Sequence, residues 1–207
     1  MRFPKSFALV MATLVAVAGF VARPVIADEA KSTGYKAEML GSISDAESKL
    51  SDLAEAMPAA KYSWRPAKGV RSVADVFMHV AAANYGIPSM MGAPAPAGFD
   101  FEKYESSLSK KEDIQKALKE SFASLKLALT NMSDEDADKE IEIFGMKMTH
   151  RAAYLMVLSH CHEHLGQSIA YARSNGVTPP WTAKQQMAEM AKGKDKAMDK
   201  AMDKDKH

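Results

Sequence analysis

Apolar residues recur three and four positions apart in four long stretches of the chain, which is the spacing of one face of an α-helix. The stretches run from Tyr35 to Met57, from Ser72 up to Gly86, from Ser109 past Leu129, and from about Thr149 to Asn175. Pro58 ends the first, and Asn175-Gly176 followed by Pro179-Pro180 ends the last. Ser72 with Asp75 and Ser109 with Glu112 have the spacing of capping boxes, which predicts where the second and third helices begin. The pattern therefore predicts an all-α fold of four amphipathic helices.

The connections between these helices differ in length and composition. Gly86 to Phe99 holds two further glycines, three prolines and little charge, which predicts an irregular crossover between the second and third helices. A bundle with such a connection departs from simple up-and-down order. The stretch from Glu140 to Met148 alternates briefly around Gly145 and predicts an extended connector.

Both ends of the chain differ from the predicted bundle. Residues 1–27 have the form of an export signal, with a basic start, an apolar stretch from Phe7 to Ala22 and small residues before Asp28. They predict a periplasmic or secreted protein cleaved after Ala27. Residues 28–181 form the predicted domain, and residues 182–207 are a tail rich in Lys, Asp and Met that we expect to be disordered or a frayed helix.

Charge and cysteine content limit the partners and the means of stabilisation. Cleavage would remove three of the 27 basic residues and none of the 26 acidic ones, leaving a formal charge of −2. A chain so balanced has no feature that recruits nucleic acid, and we expect no stable membrane insertion once the signal is cleaved. One cysteine, Cys161, cannot form an internal disulfide, so packing must supply the stability.

Three histidines have the spacing of a metal site. His160 and His164 lie four residues apart on the inward face of the fourth helix, and His79 borders the apolar face of the second. If the two helices are neighbours, three imidazoles converge and a vacant coordination position remains for water or substrate. The competing interpretation is that these are core histidines that bind no ion. His162 points away from the other two, while His150 and His207 are weaker candidates.

The motifs resemble those of the DinB/YfiT-like superfamily of metalloenzymes. The similar residues are Trp64-Arg65-Pro66, Val70 to His79, and His160-x-x-x-His164-x-Gly166-Gln167. The resemblance covers about Tyr35 to Trp181, and it implies a four-helix bundle with a crossover connection. It also implies a divalent metal, zinc or nickel, held by His79, His160 and His164, and a homodimer. Many relatives have arginine where this chain has Leu165.

Three hypotheses of function follow. The first is a metal-dependent hydrolase of unknown substrate, ranked above a metal-dependent thiol transferase because low-molecular-weight thiols are chiefly cytosolic. The second is an envelope protein that binds a metal or small ligand without catalysis, which the absence of an evident general base favours. Glu38, Asp45, Glu47 and Glu163 are the carboxylates considered as bases, and none is compelling. The third is a metal-free structural bundle.

Overall fold

Four long helices dominate the computed structural model, which describes residues 34–204 and the side chains of residues 34–194. They are α1 (Tyr35–Ala56), α2 (Val73–Met90), α4 (Lys111–Asn131) and α6 (His150–Ser174). The shorter elements are a 3-10 turn (Ala59–Lys61), α3 (Phe101–Glu105), α5 (Asp134–Ala137), β1 (Glu140–Ile143) and β2 (Met146–Thr149), and α7 (Pro180–Lys204) ends the described chain. The predicted signal peptide, residues 1–27, lies outside the described residues.

The long helices form a four-helix bundle, which confirms the predicted fold class. Both α1 and α2 pack against α4 and α6, so α1 lies diagonally opposite α2, and α4 lies opposite α6. The long connection from α2 to α4 (residues 91–110), which we call the crossover, therefore joins neighbouring helices. The connections from α1 to α2 and from α4 to α6 run diagonally across the bundle. This order places α2 beside α6, the two helices that carry the candidate histidines.

The core is built from the apolar faces that the periodicity predicts. Its most deeply buried members are Ile43 and Leu50 of α1, Phe77 and Val80 of α2, Leu118, Phe122 and Leu125 of α4, and Ala153 and Val157 of α6. Burying one such side chain stabilises the fold by roughly 1.5–3 kcal/mol. A buried polar contact crosses three of the helices: Asn84 donates to the Ser121 hydroxyl (3.1 Å) and accepts from the Cys161 thiol (3.4 Å).

The second helix is longer than predicted. Gly86 and Pro88 lie inside α2, so the expectation of irregular structure from Gly86 is wrong, and the irregular part of the connection begins after Met90. Pro88 cannot donate the helical hydrogen bond to the carbonyl four residues before it, and the Ser89 hydroxyl donates to the Gly86 carbonyl (2.7 Å). A Cβ on Gly86 would lie 3.1 Å from a ring carbon of Phe101, so glycine allows α3 to approach α2 closely.

The helix starts follow the sequence signals in part. Ser72 and Asp75 form the predicted capping box, with each side chain accepting a hydrogen bond from the backbone N–H of the other. The predicted Ser109–Glu112 signal is wrong for α4, which begins after Lys110 with no side-chain cap. Thr149 caps α6 by accepting from the N–H of Ala152 (3.2 Å).

The predicted extended connector is an antiparallel hairpin. Ile143 of β1 pairs with Met146 of β2, and the turn between them holds Phe144 at φ 52° and Gly145 at φ 76°. Positive φ at both central residues matches the twist of a two-residue hairpin turn. The hairpin leads directly into α6.

The segment after Trp181, which the sequence predicts to be disordered or a frayed helix, is helical. α7 runs to Lys204, and the side chains of Met187 and Met190 are both 66% exposed. Lys and Ala are good helix formers, and they outweigh the lack of an apolar face in this segment. Among residues 34–204, no helix combines the length and hydropathy that crossing a membrane requires.

Candidate metal centre

The three predicted histidines meet between α2 and α6. Their ring centroids are 4.4 Å apart for His160 and His164, 4.8 Å for His79 and His164, and 4.9 Å for His79 and His160. One nitrogen from each ring lies within 4.8 Å of one nitrogen from each of the others. The structure therefore brings together the residues that the sequence singles out, because α2 and α6 are neighbours in the bundle.

A carboxylate from outside the bundle core contacts His79. Glu105, the last residue of α3, places Oε2 3.1 Å from Nδ1 of His79. Its other oxygen accepts from Nε of Arg71 (2.6 Å), which lies just before α2. Phe101, also on α3, packs its ring edgewise against His79 with 5.7 Å between centroids. The second ring nitrogen of His79, Nε2, thus faces the other histidines.

His164 is held by residues of its own helix. Nδ1 of His164 lies 2.8 Å from Oε1 of Gln167, whose side-chain nitrogen donates to the Tyr171 hydroxyl (2.9 Å). That hydroxyl donates in turn to the backbone carbonyl of Arg71 (3.1 Å), and the Tyr171 ring packs at right angles to that of Trp64. Gln167 thus orients a histidine, and this chain of contacts ties the end of α6 to the start of α2.

His160 has the least support of the three. Its Nε2 lies 3.0 Å from Nε2 of His79. Its other nitrogen, Nδ1, is buried and has no hydrogen-bond partner among the described residues. Burial and, after it, the charges of the neighbouring His164 and His79 together lower the pKa of His160 to about 4. The ring is therefore neutral at physiological pH, the form in which an imidazole binds a metal.

The electrostatics around His79 also favour a neutral ring. Burial lowers the pKa of His79 and outweighs the opposing hydrogen bond to Glu105. Burial raises the pKa of Glu105, but hydrogen bonds from Arg71 and His79 more than offset it, so this carboxyl pKa lies below its usual value. An ionised Glu105 only accepts hydrogen bonds, so the proton of His79 belongs on Nδ1 and the lone pair on Nε2.

The arrangement fits a divalent ion. Gln167 accepts from Nδ1 of His164 as Glu105 accepts from Nδ1 of His79, which leaves the Nε2 lone pair of each ring available to an ion. Nε2 of His79 and Nε2 of His160 are 3.0 Å apart. Two lone pairs at that distance repel each other unless a proton or a cation lies between them. Zinc–nitrogen bonds of about 2.0–2.1 Å at tetrahedral angles would hold two ligand nitrogens about 3.3 Å apart. The described residues add no fourth protein donor to the cluster.

The remaining candidates lie elsewhere. His162 is exposed, and its Nδ1 lies 3.0 Å from the carbonyl oxygen of Leu158. Glu38, Asp45 and Glu163 are exposed, and Glu47 pairs with Lys126. Cys161 is fully buried, and burial raises the pKa of its thiol to about 12, so it stays protonated. Leu165, where many relatives have arginine, is buried with an exposure of 6%.

Sequence reasoning missed Glu105 and Arg71. Glu105 is 26 residues from its partner His79 and lies in the crossover, where no periodicity marks an inward position. One signal was available in the sequence, because Asp100 is a good N-cap residue. Its side chain accepts from the N–H of Lys103 (3.0 Å), and α3 begins at the residue after Asp100. A short helix predicted there would have given Glu105 a defined place.

The fold and the site are those of a four-helix bundle in which two neighbouring helices supply three histidines to one point. The chain belongs to the DinB superfamily, whose family model matches residues 42–168. No curated protein matches the chain. Membership confirms the resemblance drawn from the three motifs.

Solved structures show the same fold at low identity. A DinB-like protein from Bacillus cereus is 20% identical with a TM-score of 0.61, and the match covers 69% of this chain and 93% of that one. YfiT from Bacillus subtilis, described as a probable metal-dependent hydrolase with an unusual four-helix bundle topology, is 15% identical with a TM-score of 0.57, covering 72% and 93%.

A third neighbour bears on the expectation that nucleic acid is not a partner. The colibactin self-resistance protein ClbS, solved with double-stranded DNA, is 16% identical with a TM-score of 0.53, and the match covers 67% of this chain and 95% of that one. Such likeness shows the fold alone. The fold itself therefore does not exclude nucleic acid, and the expectation rests only on the charge of this chain.

Proposed function

We propose that this is an exported protein in which His79, His160 and His164 hold one divalent ion, zinc or nickel, and that the site carries out hydrolase-like chemistry. The observation that carries the proposal is the convergence of the three rings, with the Nδ1 atoms of His79 and His164 already engaged and Nε2 of His79 turned toward His160. The description of YfiT as a metal-dependent hydrolase supports the same class of activity.

The residues around the ion have separate tasks. Glu105 and Gln167 hold two rings by their outer nitrogens, and Phe101 covers one side of His79 and excludes water from it. A divalent ion in such a site supplies Lewis-acid activation of water or of a substrate oxygen. The guanidinium of Arg71 keeps Glu105 ionised and adds positive charge beside the histidines.

The test begins with protein purified without a metal-affinity tag. We expect about one equivalent of zinc or nickel by elemental analysis, and metal-dependent turnover of at least one member of a panel of esters, amides and phosphoesters. His160→Ala should lose both the ion and the turnover. His162→Ala is the matched control, because this exposed histidine of the same helix should keep both. Turnover that survives His160→Ala would contradict the hydrolase proposal.

Metal binding without catalysis is the second candidate, and one observation favours it. Glu105 is the carboxylate that contacts the histidines, and Arg71 and His79 engage both of its oxygens. Among the residues that the structure describes, the site thus lacks a free carboxylate of the kind that acts as a general base. One equivalent of metal with no turnover on the panel would favour this alternative. A metal-dependent thiol transferase would be separated by adding a low-molecular-weight thiol to the same assays.

Export is proposed from the sequence of residues 1–27 alone. Mass spectrometry of the protein from the periplasmic and secreted fractions of its host should give a chain that begins at Asp28. A full-length chain confined to the cytoplasmic fraction would contradict it.

A further inference from the structure

The short helix α3 packs against α2 and its His79 through three contacts. Phe101 packs on His79 and fits against Gly86, where a Cβ would come within 3.1 Å of the ring. Tyr104 packs edgewise on Tyr85 of α2 with 5.6 Å between centroids. Glu105 reaches Nδ1 of His79 at 3.1 Å. The crossover thus contributes a polar group directly behind one of the three rings.

The carboxylate of Glu105 is itself fixed in place. Its side chain is 19% exposed, and the Arg71 guanidinium donates to Oε1 at 2.6 Å while His79 occupies Oε2. Arg71 lies immediately before the Ser72 cap of α2 and eight residues before His79, so the arginine stands at the start of the helix that carries the histidine. A carboxylate held at both oxygens cannot turn away from the imidazole without breaking a charged contact.

This contact determines which nitrogen of His79 carries the proton. An ionised carboxylate accepts the Nδ1 proton, leaves the Nε2 lone pair toward His160 and His164, and increases the basicity of that lone pair. Without Glu105, the ring could rotate or adopt the other tautomer, which would put a proton where the ion binds. The other two histidines have no carboxylate on Nδ1: Gln167 serves His164, and Nδ1 of His160 has no partner among the described residues.

We propose that Glu105, anchored by Arg71, is a positioning residue that orients His79 and sets the affinity of the three-histidine site for its ion. The inference rests on the proposed metal site and deepens it. Groups that orient metal-bound histidines in this way typically change metal affinity by 10–100-fold when removed. The crossover segment is therefore part of the metal site, and its packing on α2 affects metal affinity.

Titration of the full-length protein with zinc and with nickel, in competition with a chromogenic chelator, tests this. Glu105→Ala should raise the dissociation constant by about 10–100-fold. Glu105→Gln, which keeps the shape and an acceptor oxygen but not the charge, should raise it less. Glu102→Ala is the matched control, because Glu102 lies on the same short helix, is exposed and makes no side-chain contact with the histidines; it should bind as the wild type does.

Thermal unfolding of the metal-free proteins separates positioning from general stability. A merely structural role would lower the melting temperature of metal-free Glu105→Gln and leave its metal affinity unchanged, which would overturn the inference. If the wild type and Glu105→Ala bind one ion with equal affinity, the inference fails while the proposed site stands. If the wild type binds neither zinc nor nickel, the proposed function fails and the inference with it.

Discussion

At the scale of single residues, the site depends on groups that hold the histidines as much as on the histidines themselves. Glu105 fixes His79, and the Gln167–Tyr171 pair fixes His164, whereas Nδ1 of His160 is buried without a partner among the described residues. A buried unsatisfied nitrogen costs about 1–3 kcal/mol. We infer that the fold retains this ring because its other nitrogen is needed at the site.

The hydroxyl of Tyr171 makes the clearest prediction at this scale. Tyr171→Phe removes one hydrogen bond from Gln167 and one to the Arg71 carbonyl, so the free energy of unfolding should fall by about 1–3 kcal/mol. Urea unfolding of the metal-free protein measures it. Tyr154→Phe is the control, because the Tyr154 hydroxyl makes no hydrogen bond to another described residue. Equal effects of the two substitutions would show that the Tyr171 contacts contribute nothing.

The sequence predicts the residues of the site that share one helix better than those that meet across the fold. The proximity of His160, His164 and Gln167 follows from their positions in α6, because residues three or four positions apart are neighbours on a helix. His79 could be paired with them only if α2 and α6 are adjacent, which periodicity does not determine. The Asp100 cap could have indicated α3, but the contact of Glu105 with Arg71 does not follow from periodicity, because it joins residues 34 positions apart through the crossover.

At the scale of elements, the boundary between α2 and the crossover is where local sequence signals fail. Gly86 and Pro88 both disfavour a helix in isolation, yet α2 runs through them to Met90. The reason is tertiary: Tyr85 and Ile87 are buried, with exposures of 8% and 5%, and Gly86 leaves room for Phe101. The packing of α3 against α2 thus compensates for a weak helix-forming sequence.

Two glycines in helices allow this packing to be measured. Gly41→Ala on α1 adds a methyl group with nothing within 4 Å, so it should stabilise the protein by about 0.5–1 kcal/mol through helix propensity alone. Gly86→Ala gains the same propensity but places the methyl group against Phe101, so its net gain should be smaller or negative. Urea unfolding of the two variants measures the difference. Equal stabilisation would contradict the close seating of α3 on α2.

At the scale of the whole molecule, the sequence predicts four helices in a bundle, but it does not predict how they are arranged. The amphipathic faces require that each helix pack against others, and they do not specify which pairs are neighbours. The diagonal placement of α1 and α2 depends on how Met57 to Ser72 crosses the bundle: Tyr62 is buried there and donates its hydroxyl to the Ala54 carbonyl (2.7 Å). The predicted homodimer remains a prediction, from the family resemblance alone.

The buried Tyr154 of α6 and the partly buried Tyr35 of α1 predict how the fold responds to alkali. Burial raises the pKa of Tyr154 to about 12, and it raises that of Tyr35 to about 12 against the opposing charge of Arg151. The unfolded chain ionises near pH 10. The stability that the neutral hydroxyls contribute is thus fully present below about pH 10 and is lost as the pH rises toward about 12.

Urea unfolding at about pH 8, 10 and 11.5 should show this loss. Tyr154→Phe cannot ionise at that position, so its stability should decline less steeply between pH 10 and 12 than that of the wild type. The same slope in both proteins would show that Tyr154 ionises as easily in the folded state as in the unfolded chain.

The central claim is that His79, His160 and His164 share one divalent ion. Anomalous scattering from crystals of protein purified without an affinity tag, recorded at the zinc and nickel absorption edges, tests it most directly. The account predicts a single peak about 2.0–2.1 Å from one nitrogen of each of the three rings. An anomalous map with no peak among these rings, from protein that elemental analysis shows to be free of metal, would contradict it.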